Sequence, residues 1–138
     1  MSAARDRTTA GGPKEARARL RTAEAYLHTA ELVLEEASTQ EFSNVAAGTA
    51  VLAGIAASDS ICCSRLRKLH RGPDHRGAIQ LLGEATPDGK ALAAILSRLL
   101  DVKDASHYGT ALVASGRATD SVKWARKLVD RAREELER

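Results

Sequence analysis

The sequence predicts an all-α domain, a four- to five-helix up-and-down bundle, and three observations carry that expectation. Alanine is abundant while aromatic residues make up 3% of the chain, a composition suited to helices that cross closely on small side chains. Val, Ile, Thr and Tyr never alternate over a useful length, which argues against strands. Apolar positions in the first third step by four and three, as in a helix lying along a neighbour. A chain of 138 residues has room for one domain and one proper core.

Residues 1–12 are small and polar and read as a disordered tail, ahead of one domain spanning 13–138. Pro13 suits the first turn of a helix, where its missing N–H costs nothing. The first helix is expected from Pro13 to Ala37, with Ala16, Leu20, Ala23, Leu27, Ala30, Leu34 and Ala37 as its seam. Ser38 to Glu41 has the spacing of a capping box for a second helix, with Ser43 as the cap of a later start. That helix should run to about Leu69, apolar nearly all round until Ser64, as a central helix must be. A short third helix, His75 to Ala85, follows a basic loop. Thr86 then caps a fourth helix with Pro87 in its first position, and Leu92, Ile95, Leu96, Leu99 and Leu100 turn inward from it. The two glycines of 109–119 mark an irregular link. A fifth helix from about Thr119 packs Val122, Ala125, Leu128, Val129, Ala132 and Leu136, and no internal repeat stands out.

Charged residues are 28% of the chain and the net charge is +3, with a sequence pI of about 9.1. This mild basicity permits nucleic-acid binding without requiring it. Cys62 and Cys63 are adjacent on a helix, where side chains diverge by roughly 100°, so free thiols in a reducing cytosol are expected. The opening residues contain no apolar core region, and a cytoplasmic location is expected. Val45 to Cys63 has the length of a membrane span, yet it is mostly Ala, Gly and Ser and carries Asp59, which fits a central bundle helix better. There is no phosphate-cradling glycine motif, nucleophile elbow or His-Glu-x-x-His helix, so neither a metal nor a cofactor is expected.

Three features carry chemistry. The first is Lys103, Asp104, His107 and Tyr108 at the end of the fourth helix. Metal-free RNA cleavage needs a group that moves protons near neutrality and a cation for the phosphorane, and His107 with Lys103 four residues before it supplies both on one face. The competing reading is a helix-end histidine satisfied by the dipole or by water. The second is Asp59, which shares a face with Leu52, Ile55 and Cys62 and must be paired if buried, with Lys103, His75 or Arg76 as candidates. A structural hydrogen bond or ion pair that fixes helix register is the favoured reading of it. The third is the run of Arg65, Arg67, Lys68, His70, Arg71, His75 and Arg76, opposed only by Asp74. Such a cluster suits nucleic-acid phosphates, and it also suits the C-terminal end of a helix followed by a solvated loop. No aromatic residue interleaves, so stacking of single-stranded bases on rings is not supported.

In order and spacing these segments resemble the HEPN family of small helical prokaryotic domains, from about Ala46 to the C-terminus. "AVLAGIAASDSICCSRL" is similar to the family's Ala-rich central helix and "DHRGAIQLL" to the short helix after its loop. "KDASHYG" falls at the Arg-x-x-Ala-Asp-Tyr position, and "SVKWARKLVDRAREEL" is similar to the closing helix. The resemblance implies a homodimer of a stress, toxin–antitoxin or phage-defence system. It also implies, for active members, metal-independent ribonuclease activity at an Arg-x(4–6)-His motif paired across the dimer. In some toxins a tyrosine beyond that histidine is modified by a nucleotidyltransferase antitoxin. Here His107 takes the histidine position, but Lys103 stands for the arginine and only three residues separate the two. Arg98 has eight residues between it and His107, Asp104 supplies the polar residue after the basic one, and Tyr108 follows His107 directly. Lysine does not reproduce a bidentate arginine–phosphate contact.

Together these readings give a HEPN-like RNA- or nucleotide-associated domain. His107 is its expected acid/base, Lys103 its phosphate cation, Asp104 and Tyr108 its supporting groups, and Asp59 orients Lys103 or His107. The alternative is a non-catalytic module whose first-helix seam mediates dimerisation or docking.

Overall fold

The computed structural model describes residues 7–36, 38–108 and 113–138, with side chains except at 105–108. They form β1 (Thr8–Ala10), α1 (Pro13–Glu35), α2 (Gln40–Leu66), β2 (Lys68–His70), α3 (His75–Ala85), α4 (Gly89–Tyr108) and α5 (Ser115–Leu136). The architecture is all-helical, with a minimal two-stranded sheet.

Pro13 opens α1, and Glu15 accepts the Gly12 N–H at 2.7 Å, satisfying one orphan donor of the first turn. The four-and-three seam is real: Ala16, Ala23, Leu27 and Ala30 are buried, and Leu20 and Leu34 pack against the core. Its partner is α2 of the same chain, so these positions are not available to another protein. Ser60 donates its hydroxyl to the Ala16 carbonyl at 2.7 Å and Arg19 meets Asp59, which makes α1 and α2 antiparallel.

The second helix begins at Gln40 after Thr39, and no side chain caps it. Neither the expected Ser38–Glu41 box nor a Ser43 cap forms, because the Thr39 carbonyl takes the Ser43 N–H and places Ser43 inside the first turn, where it is buried. Residues 56–63 of α2 are buried at every position. Nearer its start, Phe42, Val45 and Leu52 are 40–52% exposed. It is the one helix among the described residues long and apolar enough to cross a membrane, and 72% of its most apolar window is buried inside this fold.

The expected end of this helix near Leu69 is corrected to Leu66. Arg67 adopts the left-handed conformation (φ 59°, ψ 27°), a turn that glycine usually makes, and its N–H returns to the Cys63 carbonyl. The chain then enters β2, which pairs antiparallel with β1: Thr8 faces His70, Thr9 faces Leu69 and Ala10 faces Lys68. Residues 8–10, expected within a disordered tail, are therefore a strand. Leu69 anchors it from below in a small core with Ala16 and Cys63, and backbone bonds from Gly11 to Arg67 and from Arg71 to Arg7 close both ends.

Helix α3 matches its expected bounds, capped by Asp74, whose carboxylate accepts the Arg76 N–H at 3.0 Å. Pro87 lies in the turn before α4 rather than in its first position, and the Thr86 carbonyl and hydroxyl bind Gly89 N–H and Asp88 instead of a cap within α4. Helix α5 starts at Ser115, four residues before Thr119, because Ala118 is already drawn into the core.

Long-range pairs set the remaining directions. Arg133 bonds Glu24 at 2.7 Å and Arg126 reaches Glu31, so α5 runs against α1. Arg131 bonds Asp88 at 2.9 Å and Arg98 lies 6.0 Å from the Trp124 ring centre, so α5 also runs against α4. At the far end, the Glu135 carboxylate is 3% exposed and takes Arg65, Arg131 and Arg138. Gly89 sits directly on the α3 backbone: a Cβ there would come within 2.8 Å of the Leu82 carbonyl oxygen and closer still to that of Gly83. Gly89→Ala is expected to destabilise the fold by about 1–3 kcal/mol, the scale of an overpacked contact, although alanine is the better helix former. Urea denaturation of the variant beside the parent chain measures it.

Candidate functional site

Asp59 lies in the middle of the fully buried stretch of α2, one turn beyond Ile55 on the same face. A carboxylate there needs a cation, and the structure supplies Arg19 from α1. Its Nε and Nη2 both reach Oδ2, at 3.1 and 3.0 Å, leaving Oδ1 outside the pair. The expected partners Lys103, His75 and Arg76 are thus corrected to Arg19. They are passed over because the antiparallel α1–α2 contact brings Arg19 alongside first. Burial pushes the Asp59 carboxyl above its ordinary range, against the pull of Arg19, Arg71 and His70.

This carboxylate forms part of the floor of a cavity of about 200 Å³. Leu96 and Leu100 of α4 and Ile55 of α2 form apolar walls, and Ala78 of α3 completes them. Polar groups arrive from the β2–α3 connection: His70, Arg71 and, at the first position of α3, His75. His70 lies over Gly77, where a Cβ would come within 2.8 Å of its Nδ1, so glycine is required for the ring to sit there. The Nε2 atom of His70 is buried and has no hydrogen-bond partner among the described residues.

His75 lines the cavity, and its Nε2 is 2.8 Å from Nζ of Lys103, which lies outside the lining. An ammonium only donates, so this contact has Nε2 accepting and the imidazole neutral. Burial lowers the His75 pKa, and the Lys103 charge lowers it further. His70 acts in the same sense, while Asp104 and Asp74 oppose it. An imidazole in this state can take a proton only once Lys103 turns from Nε2, as it would to face an anion.

The other sequence candidates separate around this point. Arg71 stands exposed at the mouth, and Asp104 is exposed on α4, near enough to act on His75. Arg67, Lys68 and Arg76 are exposed on the adjoining hairpin and the first turn of α3. Arg65 leaves the cluster, since it is committed to the buried Glu135 of α5. The side chains of His107 and Tyr108 lie outside the described residues, whereas Lys103 and Asp104 of the same expected site are described. Asp59 does not contact Lys103, so it orients Arg19 instead.

Sequence reasoning missed Arg19 and the apolar walls. The signal for Arg19 was its place beside the seam residue Leu20, opposite a carboxylate that had to be paired. Cys62 and Cys63 are free and buried, and burial raises the Cys62 thiol to about 12, so it is protonated at neutral pH. Among the described residues no group of three His, Cys, Asp or Glu side chains is placed to hold a metal ion. No family model matches the chain, and no curated protein matches it at significant similarity.

Two outcomes test this geometry. Arg19→Ala strands Asp59 in the core and is expected to cost about 3 kcal/mol, the scale for breaking a buried pair, by urea denaturation at pH 7. That loss should shrink as pH falls and Asp59 takes up a proton. His75, followed by NMR, should titrate below its ordinary value of 6.5. Since the unfolded chain binds that proton first, the His75 contribution to stability is complete above about pH 6.5 and declines as pH falls toward the folded value. In Lys103→Met the titration should move up.

Proposed function

We propose that the protein is a HEPN-like, RNA-associated helical domain of a prokaryotic stress or defence system, cytoplasmic and dimeric. In this reading it holds a phosphodiester at the cavity mouth and cleaves it without a metal. The observation that carries the reading is the 2.8 Å contact between Lys103 and a neutral His75. When a phosphodiester binds, Lys103 leaves His75 Nε2 for the phosphoryl oxygens, and the lone pair it releases takes the proton of the 2′-hydroxyl as the 2′-oxygen forms its bond to phosphorus. The bond from phosphorus to the 5′-oxygen breaks, and that oxygen takes a proton from water, leaving a 2′,3′-cyclic phosphate. Lys103 and Arg71 face the charge that builds on the phosphoryl oxygens. The exposed Arg67, Lys68 and Arg76 carry the flanking backbone. His75 thereby replaces His107 as the first candidate for proton transfer. A nucleotidyltransferase-type antitoxin would be the matching partner if Tyr108 is its target.

A second reading has a specific observation behind it. The apolar residues left exposed at the start of α2, Phe42, Val45 and Leu52, favour an interaction module whose contact surface is α2 and not the buried α1 seam.

Metal-free incubation with total tRNA and rRNA separates the two. The first reading expects discrete cleavage, lost about 100-fold or more in His75→Ala with the melting temperature nearly unchanged. Its RNA affinity should fall steeply with salt. Cleavage lost in His107→Ala but kept in His75→Ala moves the proton transfer to the end of α4. No cleavage and no RNA binding at low salt leaves the interaction module.

A further inference from the structure

The mouth of the cavity and its floor ask for opposite things. At the mouth stands Arg71, and Lys103 lies just outside the lining, in contact with His75 of the rim; both suit an anion. On the floor lies a buried carboxylate that would repel one, and between them the walls are aliphatic. A ligand that satisfies both ends is anionic at one end and flat, apolar-faced and N–H-donating at the other. A nucleotide has that construction.

The volume limits what enters. About 200 Å³ is below the roughly 300–1,000 Å³ of sites that engulf drug-sized ligands, so there is room for one ring system with its sugar and phosphate outside. The floor then selects among bases. Arg19 occupies Oδ2 of Asp59 from one side, and Oδ1 stands outside that pair. His70 adds a buried nitrogen with no partner among the described residues. With the His70 proton on Nε2, the carboxylate and the imidazole present an acceptor next to a donor. Guanine alone among the four RNA bases carries the complement along one edge: two adjacent donors, N1–H and N2–H, followed by the O6 acceptor.

We propose that this cavity is a guanine-recognition pocket, in which Asp59 accepts from N1–H and N2–H, His70 donates to O6, and the ring lies between Ile55, Ala78, Leu96 and Leu100. The phosphate remains at the mouth, so the proposal rests in part on the reading of the mouth as a phosphate site. The base comes from a free guanine nucleotide or from an unpaired guanosine in RNA. Aliphatic walls hold it without the aromatic stacking that this sequence lacks.

The test is calorimetric titration of the full chain with GMP, AMP, CMP, UMP, guanosine and inorganic phosphate. The expected result is GMP binding about tenfold or more tighter than the other three nucleotides, with guanosine retaining the preference. Asp59→Asn should abolish it. Because that variant also disturbs the Arg19 pair, Ala78→Leu provides a second test: it fills the cavity and leaves the pair intact, and the guanine preference should disappear. Equal affinity for the four nucleotides, or a guanine preference that survives Ala78→Leu, overturns the pocket. Salt-sensitive phosphate or RNA binding with no base preference overturns the pocket alone and leaves the phosphate reading standing. Guanosine binding as tightly as GMP supports the pocket and removes the phosphate site. Competition between GMP and a single-stranded oligonucleotide containing one guanosine, against one containing none, distinguishes the two sources: displacement of the first only assigns RNA, and no effect of either assigns the free nucleotide.

Discussion

A carboxylate embedded in the most buried stretch of an alanine-rich helix constrains this fold more than any other single group. Taking Asp59 out of water without a cation would cost several kcal/mol, comparable with the whole stability of a small domain. Arg19 answers that demand, and in doing so it fixes where α1 lies along α2. Ser60 on the Ala16 carbonyl, one position further along α2, confirms the same register through a buried hydroxyl. Neither bond need add much net stability over an apolar pair of similar shape. Their effect is on alignment: alanine seams offer few features by which one register differs from the next, and a misplaced polar group is heavily penalised.

Once that register is set, the end of the molecule that holds the cavity follows. The start of α1 is brought beside the end of α2, so Gly11 and the residues of β1 meet the chain as it leaves Arg67. The short antiparallel pair holds β2, and with it His70 and Arg71, against the α2 face that carries Asp59. Helix α3 then covers this end only. Phe42, Val45 and Leu52, at the other end of α2, are left exposed, while Ile55 is half-covered and the residues after it are enclosed. The graded cover explains why a helix that reads as uniformly apolar is both a core element and a surface.

How much of this could be read from the sequence depended on the range of the interaction involved. Helices α1 and α3 were legible because their signals are local: Pro13 with a four-and-three repeat, and a short helical segment bounded by the basic loop and Thr86-Pro87. The end of α2 was not, since Arg67 takes a left-handed turn that sequence would assign to glycine. Strand β1 was not legible either, because Thr8, Thr9 and Ala10 carry no period and their pairing depends on a segment about 60 residues away. The need for a partner at Asp59 was visible, but its identity lies 40 residues upstream. Spacing on one helix suggests the Lys103–His107 pairing, and it gives no sign of the contact between Lys103 and His75, on a different helix and 28 residues away. Sequence spacing ranks neighbours within an element, and active clefts are mostly built between elements.

The ordering of charge along the cavity also bears on what can occupy it. Had Arg19 been absent, Asp59 would have to be protonated to remain buried, and the floor would lose its acceptor character. Had a second cation been present, the floor would attract phosphate as strongly as the mouth does. One carboxylate with one arginine on a single oxygen leaves a neutral pair overall whose free oxygen still accepts. In the proposed reading phosphate is held at Arg71 and Lys103, where solvent can still hydrate it, and only a neutral donor edge is stabilised at depth. Two ends of one ligand are sorted by where water is allowed.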